Sequence, residues 1–329
     1  MTKSIIVLGS NSPSAANFCA YALDRGYEVI ATSRSPEKEK VFLPYAWGSR
    51  KTPIFEQIDL NRDIERLAEL MRKHRPAYVV NFASQAMVAQ SWENPSHWMQ
   101  TNVVAMANLL ELLRNADYLE RYVHFSTPEV YGSTDGWIVE NRNYNPSTPY
   151  ALSRAAGDMS TVLWSETYDL PTVITRAANV YGEGQQLYRI IPRTFLCCFS
   201  NTKLSLHGGG LSERAFVHFD DISDGVMRVC ENGQSGEDYH MSPKDSVTIR
   251  ALVEKICAIA GAQFSEIVEL APDRLGKDQA YLLDSTKIST ELGWSPQLSL
   301  EAGLERCAEW CKNNLEELLL LPQSYEHKP

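Results

Sequence analysis

The run Ile5-Ile6-Val7-Leu8 is consecutively apolar and mostly β-branched, the pattern of a parallel strand covered on both faces. It leads through a turn of small and polar residues, Gly9-Ser10-Asn11-Ser12-Pro13-Ser14-Ala15, into a helical apolar pattern over residues 16–23. Strand, tight turn and helix in that order present backbone N–H groups at a helix N-terminus, where a pyrophosphate can rest. Gly9, Ser10, Asn11 and Ser12 are therefore the first candidate cofactor contacts. An ordinary β-turn-α is the competing reading, and the motif's place at the start of the chain weighs against it. Further strands are read at residues 27–31, 77–82, 122–125 and 172–179, and an amphipathic helix at 63–73 with Ile64, Leu67, Leu70 and Met71 on one side. The expected fold class is α/β: a Rossmann-type doubly wound parallel sheet with a smaller, discontinuous α/β substrate-binding lobe.

The turn after the second strand is Thr32-Ser33-Arg34-Ser35. An NAD site generally places Asp or Glu here for the ribose hydroxyls, whereas an NADP site uses Arg for the 2′-phosphate. With no acid in the turn, Arg34 points to NADP, with NAD as the alternative cofactor. A solvated loop arginine is the competing reading of Arg34. Ile58-Asp59-Leu60 is read as the end of a short third strand.

The stretch Ser126-Thr127-Pro128-Glu129-Val130-Tyr131-Gly132 follows the 122–125 strand and puts Thr127 and Glu129 at its carboxyl end. In an open α/β sheet that is where ligands sit. Tyr150 follows Pro146 and Pro149 and opens a helical run to residue 167. Tyr150 and Arg154, spaced i and i+4, share a helical face, and a fixed cation stabilises phenolate. Thr127, Glu129, Tyr150 and Arg154 are the candidate catalytic residues. An ion-paired structural carboxylate is the competing reading of Glu129.

These motifs resemble the extended short-chain dehydrogenase/reductase family, in particular its nucleotide-sugar 4,6-dehydratases. The family pattern is Ser-Thr-x-Glu-Val-Tyr-Gly followed by Tyr-x-x-x-Lys. Arg154 stands here in place of the Lys, and Pro128 in place of the usual Asp or Ser. The family's Gly-x-x-Gly-x-x-Gly reads Gly9, Ser12, Ala15. The resemblance implies that Asp59 and Leu60 contact the adenine, that Ala83 borders the cofactor, and that Tyr150 and Arg154 touch it as well. Ala83-Ser84-Gln85-Ala86-Met87-Val88 is similar to the family's Ala-Ala-x-Ser-His-Val, and Gln85 matches its GDP-mannose branch. Thr101-Asn102-Val103 resembles a segment whose Asn supports the active-site helix; a helix cap is the competing reading. Asn179, Arg189, Arg193, Arg214 and Arg274 fall where the resemblance implies contacts to a sugar diphosphate, with Gln85 as a further substrate contact. Arginine suits that task through planar, multidentate phosphate recognition. Glu291-Leu292-Gly293-Trp294-Ser295-Pro296 resembles the family's closing turn, and a last helix is read at 300–313.

The likeness runs from about residue 4 to 313. It implies two interleaved lobes: residues 1–178 plus 216–243 for the cofactor, and 179–215 plus 244–329 for the nucleotide sugar. It also implies a homodimer paired through the helices at 101–114 and 150–167. The expected activity is dehydration of a nucleoside-diphosphate hexose to its 4-keto-6-deoxy form. A 4-epimerase or C4 dehydrogenase of the same family is the alternative, and a catalytically silent NADP-binding regulator is an alternative of another class.

A net charge of −10 without a long basic run argues against a nucleic-acid groove, though not against a local phosphate pocket. No stretch reaches the length of a membrane span, and the start lacks a signal-peptide core, so a cytoplasmic protein is expected. None of the seven cysteines forms a Cys-x-x-Cys pair, so reduced structural thiols and no metal are expected. For residues 319–329 a docked and a disordered segment are both open.

Overall fold

The structure, a computed structural model, describes residues 3–48, 51–272 and 280–328. Its central sheet has seven strands: β1 Ser4–Leu8, β2 Glu28–Ser33, β3 Ile54–Gln57, β4 Tyr78–Asn81, β5 Arg121–Ser126, β6 Thr172–Ala177 and β7 Asp238–Met241. Their order is β7-β6-β5-β4-β1-β2-β3, and every neighbouring pair is parallel. This is the expected doubly wound sheet. The alternation of side chains along β1 explains its unbroken apolar run. Ile5 and Val7 enter one core with Phe18 and Ala22 of the helix Pro13–Asp24, while Ile6 and Leu8 enter another with Leu67, Leu109 and Leu113.

Strand order reverses between β1 and β4, so a crevice opens at their carboxyl ends. The helix Pro13–Asp24 starts there. Ser12 caps it, its Oγ accepting from Ala15 N at 3.4 Å, and Pro13 occupies the first turn. Gly9 has φ +81°, and a Cβ on it would lie 2.7 Å from the Ala83 backbone; only glycine lets β1 and the β4 exit approach so closely.

Three local expectations shift. β3 ends at Gln57, short of Ile58-Asp59-Leu60, because the Asp59 N–H turns away to the Asp63 carboxylate at 2.9 Å. β6 ends at Ala177, because Asn179–Tyr181 leaves the sheet to pair in parallel with Phe216–His218. Asn102 is not a helix cap. The helix Pro95–Met99 runs through a widened turn, Gln100–Val104, into Ala105–Leu113, and Asn102 lies inside that turn.

Outside the central sheet, Leu204–His207 pairs with Val268–Ala271, and Glu213–Arg214 pairs with Val247–Thr248. A separate apolar core gathers Tyr181, Ile191, Phe195, Leu252, Ile256, Leu304 and Trp310. The helix Leu315–Leu320 docks on it through Leu318, which is fully buried. The chain then turns back, and residues 322–328 reach the crevice. The segment is docked.

Candidate active site

Thr127 follows β5 directly and caps a single turn, Pro128–Tyr131, its Oγ1 accepting from Glu129 N at 3.3 Å. This turn aims Glu129 into the crevice. Across from it the helix Pro149–Tyr168 begins, capped by Thr148, whose Oγ1 accepts from Ala151 N at 3.1 Å. Tyr150 thereby enters from the first turn of that helix. Asn102 fixes the helix to the β4 exit: its Oδ1 accepts from Gln85 N at 2.9 Å, and its Nδ2 donates to Gln85 O at 3.0 Å and to Ser153 Oγ at 2.9 Å.

The Tyr150 phenol is buried and hydrogen-bonded with the Thr127 hydroxyl. Burial pushes its pKa up, and the neighbouring Glu129 carboxylate adds to that; Arg154, the Thr127 hydrogen bond and Arg189 pull it down without reversing the shift. Arg154 therefore does favour phenolate, as its i+4 position implies, but burial prevails. Arg154 is itself almost fully buried. Its Nη2 hydrogen-bonds the Phe125 carbonyl and lies 3.4 Å from His124 Nε2. Among the described residues its buried Nε has no hydrogen-bond partner. A guanidinium held this way keeps its charge and cannot relay a proton.

The crevice is a cavity of about 1260 Å³. Gly9, Asn11, Ser12, Arg34, Asp59, Leu60 and Ala83 line one end, and Thr127, Glu129, Tyr150 and Arg154 its middle. Gln85, Asn179, Arg189, Arg193 and Arg214 line it as well. Among the described residues, five arginines thus face one crevice in a chain of net charge −10, which concentrates positive potential where a diphosphate would enter. The glycine approach at the Gly9 turn, the capped helix start and the orphaned Arg154 Nε fit a dinucleotide cofactor. Ser10 is a correction. Its side chain is wholly buried behind the turn and its N–H is spent on the Thr32 carbonyl at 2.9 Å, so it does not line the crevice. Arg274 lies outside the described residues.

Sequence reasoning missed three contributors. Tyr281 packs under Arg214, whose guanidinium lies 4.3 Å from the ring centroid, and its hydroxyl is 3.4 Å from Asn179 Oδ1. Burial, with Glu129 next, pushes its phenol up to about 12. Tyr188 lines the crevice beside Arg189, and Pro322, Ser324, Tyr325, Glu326 and Lys328 line it as well. Tyr281 immediately precedes the short buried strand Leu282–Leu283, and none of the three carries a local signal for a crevice contact.

The family model for GDP-mannose 4,6 dehydratase matches residues 15–307. A dTDP-glucose 4,6-dehydratase of Streptomyces niveus is 35% identical, over 72% of this chain and 70% of its own. The structure of DesIV, a dTDP-glucose 4,6-dehydratase from Streptomyces venezuelae solved with NAD bound, is 31% identical with a TM-score of 0.87, covering 95% of this chain and 98% of that one. A UDP-glucose 4-epimerase of Thermotoga maritima is 25% identical with a TM-score of 0.86, covering 95% and 99%. Shared architecture therefore does not separate the two chemistries, and the named relative at higher identity is a dehydratase. With the match running from residue 15 to 307, through the turn that carries Thr127 and Glu129 and the helix that carries Tyr150, the chain belongs to the GDP-mannose 4,6 dehydratase family, among the nucleotide-sugar 4,6-dehydratases of the extended short-chain dehydrogenase/reductases.

Proposed function

We propose that the chain converts a nucleoside-diphosphate hexose, with dTDP-glucose the first to try, into the 4-keto-6-deoxy sugar and water. One observation carries this reading: the Glu129 carboxylate stands beside the Thr127–Tyr150 pair in the crevice. Tyr150 takes the proton of the C4 hydroxyl while Thr127 hydrogen-bonds the same oxygen. Gly9, Asn11, Ser12, Arg34 and Ala83 would hold a nicotinamide cofactor, which would supply the redox chemistry as hydride acceptor for C4 and hydride donor for C6. The C4 ketone acidifies the C5 proton, which Glu129 removes. Pro128 offers no acid to the departing C6 hydroxyl, so Glu129 hands the proton on to it and water leaves by syn elimination. Glu129, having given up its proton, takes one from solvent and delivers it to C5 as C6 is reduced, while Tyr150 releases its own proton to solvent. Arg189, Arg193 and Arg214 hold the diphosphate, with Asn179 and Gln85 beside them. A 4-epimerase needs no base at C5. Incubation with dTDP-, UDP-, GDP- and CDP-hexoses, read by mass spectrometry, should show loss of one water from at least one; products of unchanged mass throughout would contradict the reading.

NADP is the proposed cofactor over NAD, although DesIV is solved with NAD. Arg34 lines the cofactor end, and the nearest following carboxylate, Glu37, is engaged by the Tyr45 hydroxyl at 2.8 Å. Arg34→Ala should weaken NADP selectively, by about 1.5–3 kcal/mol or roughly ten- to a hundredfold. Equal weakening of both cofactors in a titration, or a wild-type preference for NAD, would contradict it.

The two-lobe division, 1–178 with 216–243 for the cofactor and 179–215 with 244–329 for the sugar nucleotide, belongs to the same proposal. So does a homodimer. Leu152, Met159 and Leu163 form an exposed apolar stripe on the Tyr150 helix, with Met159 61% exposed, and Val104 is exposed on the neighbouring helix. Light scattering at micromolar concentration should report a dimer; a monomer would contradict it. The seven free thiols support a reducing, cytoplasmic setting, and no helix among the described residues is long and apolar enough to cross a membrane.

A further inference from the structure

We infer that residues 322–328 form a strap that roofs the crevice and holds its two sides closed over the bound nucleotides, with Tyr325 and His327 as the positioning residues. The inference rests on the proposed cofactor and sugar-nucleotide ends of the crevice. On the sugar side, Arg193 Nη1 donates to the Gln323 carbonyl at 3.2 Å, and Tyr188 meets Tyr325 edge-on with ring centroids 5.6 Å apart. On the sheet side, the Gln85 side-chain amide donates to the Lys328 carbonyl at 2.7 Å. His327 stacks on His97 and Trp98, each centroid 5.1 Å away, and its Nε2 is 2.8 Å from His97 Nδ1. The Tyr325 hydroxyl, 3.2 Å from His327 Nδ1, ties the two halves of the segment together.

The burial pattern shows how the strap lies. From Ser324 to Lys328 exposed and half-buried residues alternate, with Tyr325 and His327 half-buried, the pattern of an extended chain with one face turned inward, while Pro322 and Gln323 before them are exposed. Little apolar surface is covered, and a handful of contacts stands against the ordering of the whole segment, so it opens at low cost. The cavity of about 1260 Å³ remains beneath it, larger than the roughly 300–1,000 Å³ of ordinary ligand sites. The segment therefore covers the crevice without filling it. Tyr325 also sits within electrostatic reach of both Arg34 and Arg189, one at the proposed cofactor end and one at the proposed sugar-diphosphate end.

A roof of this kind suits the proposed chemistry. Hydride taken from C4 must stay until C6 is ready to receive it, so early loss of cofactor or keto sugar aborts the cycle. The test compares the full chain with one ending at Leu321 and with the full-length Tyr325→Ala/His327→Ala double variant. Dissociation of NADPH and of NADH is followed by nicotinamide fluorescence in stopped flow, with dTDP present. Both variants should release cofactor about tenfold faster and show a raised KM for the nucleotide sugar, with an unchanged melting temperature in the double variant. Release at the parent rate in the double variant overturns the strap even if the truncated chain fails to fold. A lowered KM overturns it too, because the segment would then compete with substrate for Gln85 and Arg193. Release needs no turnover: a chain that binds cofactor but never dehydrates a sugar sinks the dehydratase reading alone, and one that binds neither cofactor sinks both.

Discussion

Glu129→Gln should slow elimination by about 10²–10⁴-fold, the usual contribution of a general acid–base group, while leaving C4 oxidation in place. Glutamine preserves the shape of the turn Pro128–Tyr131 and the backbone bond to Thr127. It cannot take the C5 proton, and neither neighbour in the turn can substitute. Pro128 has no ionisable group, and the Thr127 hydroxyl is committed to Tyr150. Oxidation still has Thr127, Tyr150 and Arg154, so reduced cofactor should build up on the enzyme and be visible by its nicotinamide absorbance. In the parent enzyme it should not accumulate, because each hydride is returned to C6. The substitution also removes a negative charge that raises the Tyr150 and Tyr281 phenols, so the pH at which C4 oxidation reaches half its maximal rate should fall. Turnover at the parent rate in Glu129→Gln would show that the carboxylate is structural.

Arg176→Met should cost about 3–5 kcal/mol of stability, the usual cost of removing one member of a buried ionic cluster. Arg176 is wholly buried. Its Nη2 reaches Asp158 Oδ2 and its Nη1 reaches Asp238 Oδ2, each at 2.7 Å, while the Tyr144 hydroxyl accepts from Nη2 at 2.9 Å. The rings of Tyr131 and Tyr144 cover the guanidinium, with centroids 5.1 and 5.5 Å away. Methionine fills similar space but leaves two buried carboxylates uncompensated. Burial pushes Asp158 up, yet Arg176, His124 and Arg154 outweigh it and hold its pKa at about 2. A depressed folded pKa contributes stability that is full above the ordinary carboxylate range and lost as pH falls through it toward about 2. In the variant the buried carboxylate gains from protonation instead, so its deficit against the parent should narrow in acid. Denaturant midpoints from neutral pH downward check both magnitude and slope; a loss below about 1 kcal/mol would place the cluster among ion pairs of little net worth. Asp158 lies one helical turn beyond Arg154, and His124 contacts both, so this cluster also backs Arg154, the candidate catalytic cation.

The parts of the site legible in the sequence are those set by local geometry. Thr127 and Glu129 follow directly from a strand end, and Tyr150 with Arg154 from one helical face. The sheet was legible because β1 is apolar at every position, which only a doubly covered strand requires. What escaped depends on contacts distant in sequence. β6 stops at Ala177 because Phe216–His218 captures the residues that follow. Ser10 resembles its crevice-lining neighbours in composition, yet the turn folds it inward. Arg154 reads as a fixed cation on the Tyr150 face, but what fixes it, the Phe125 carbonyl and His124, is not local in sequence. Residues 322–328 have neither periodicity nor apolar weight. Their placement comes from Gln85, His97 and Arg193, each more than a hundred residues earlier in the chain.

Transfer of hydride from C4 to C6 within one sugar is the central claim, and a substrate deuterated at C4 tests it most directly. The nucleoside-diphosphate hexose carrying that label is turned over with catalytic cofactor, and the product is read by mass spectrometry and NMR. The dehydratase reading predicts a product lighter by one water with the deuteron at C6. A deuteron back at C4 in a product of unchanged mass would establish the epimerase, and its loss into accumulated reduced cofactor would establish a simple dehydrogenase; either result contradicts the dehydratase assignment.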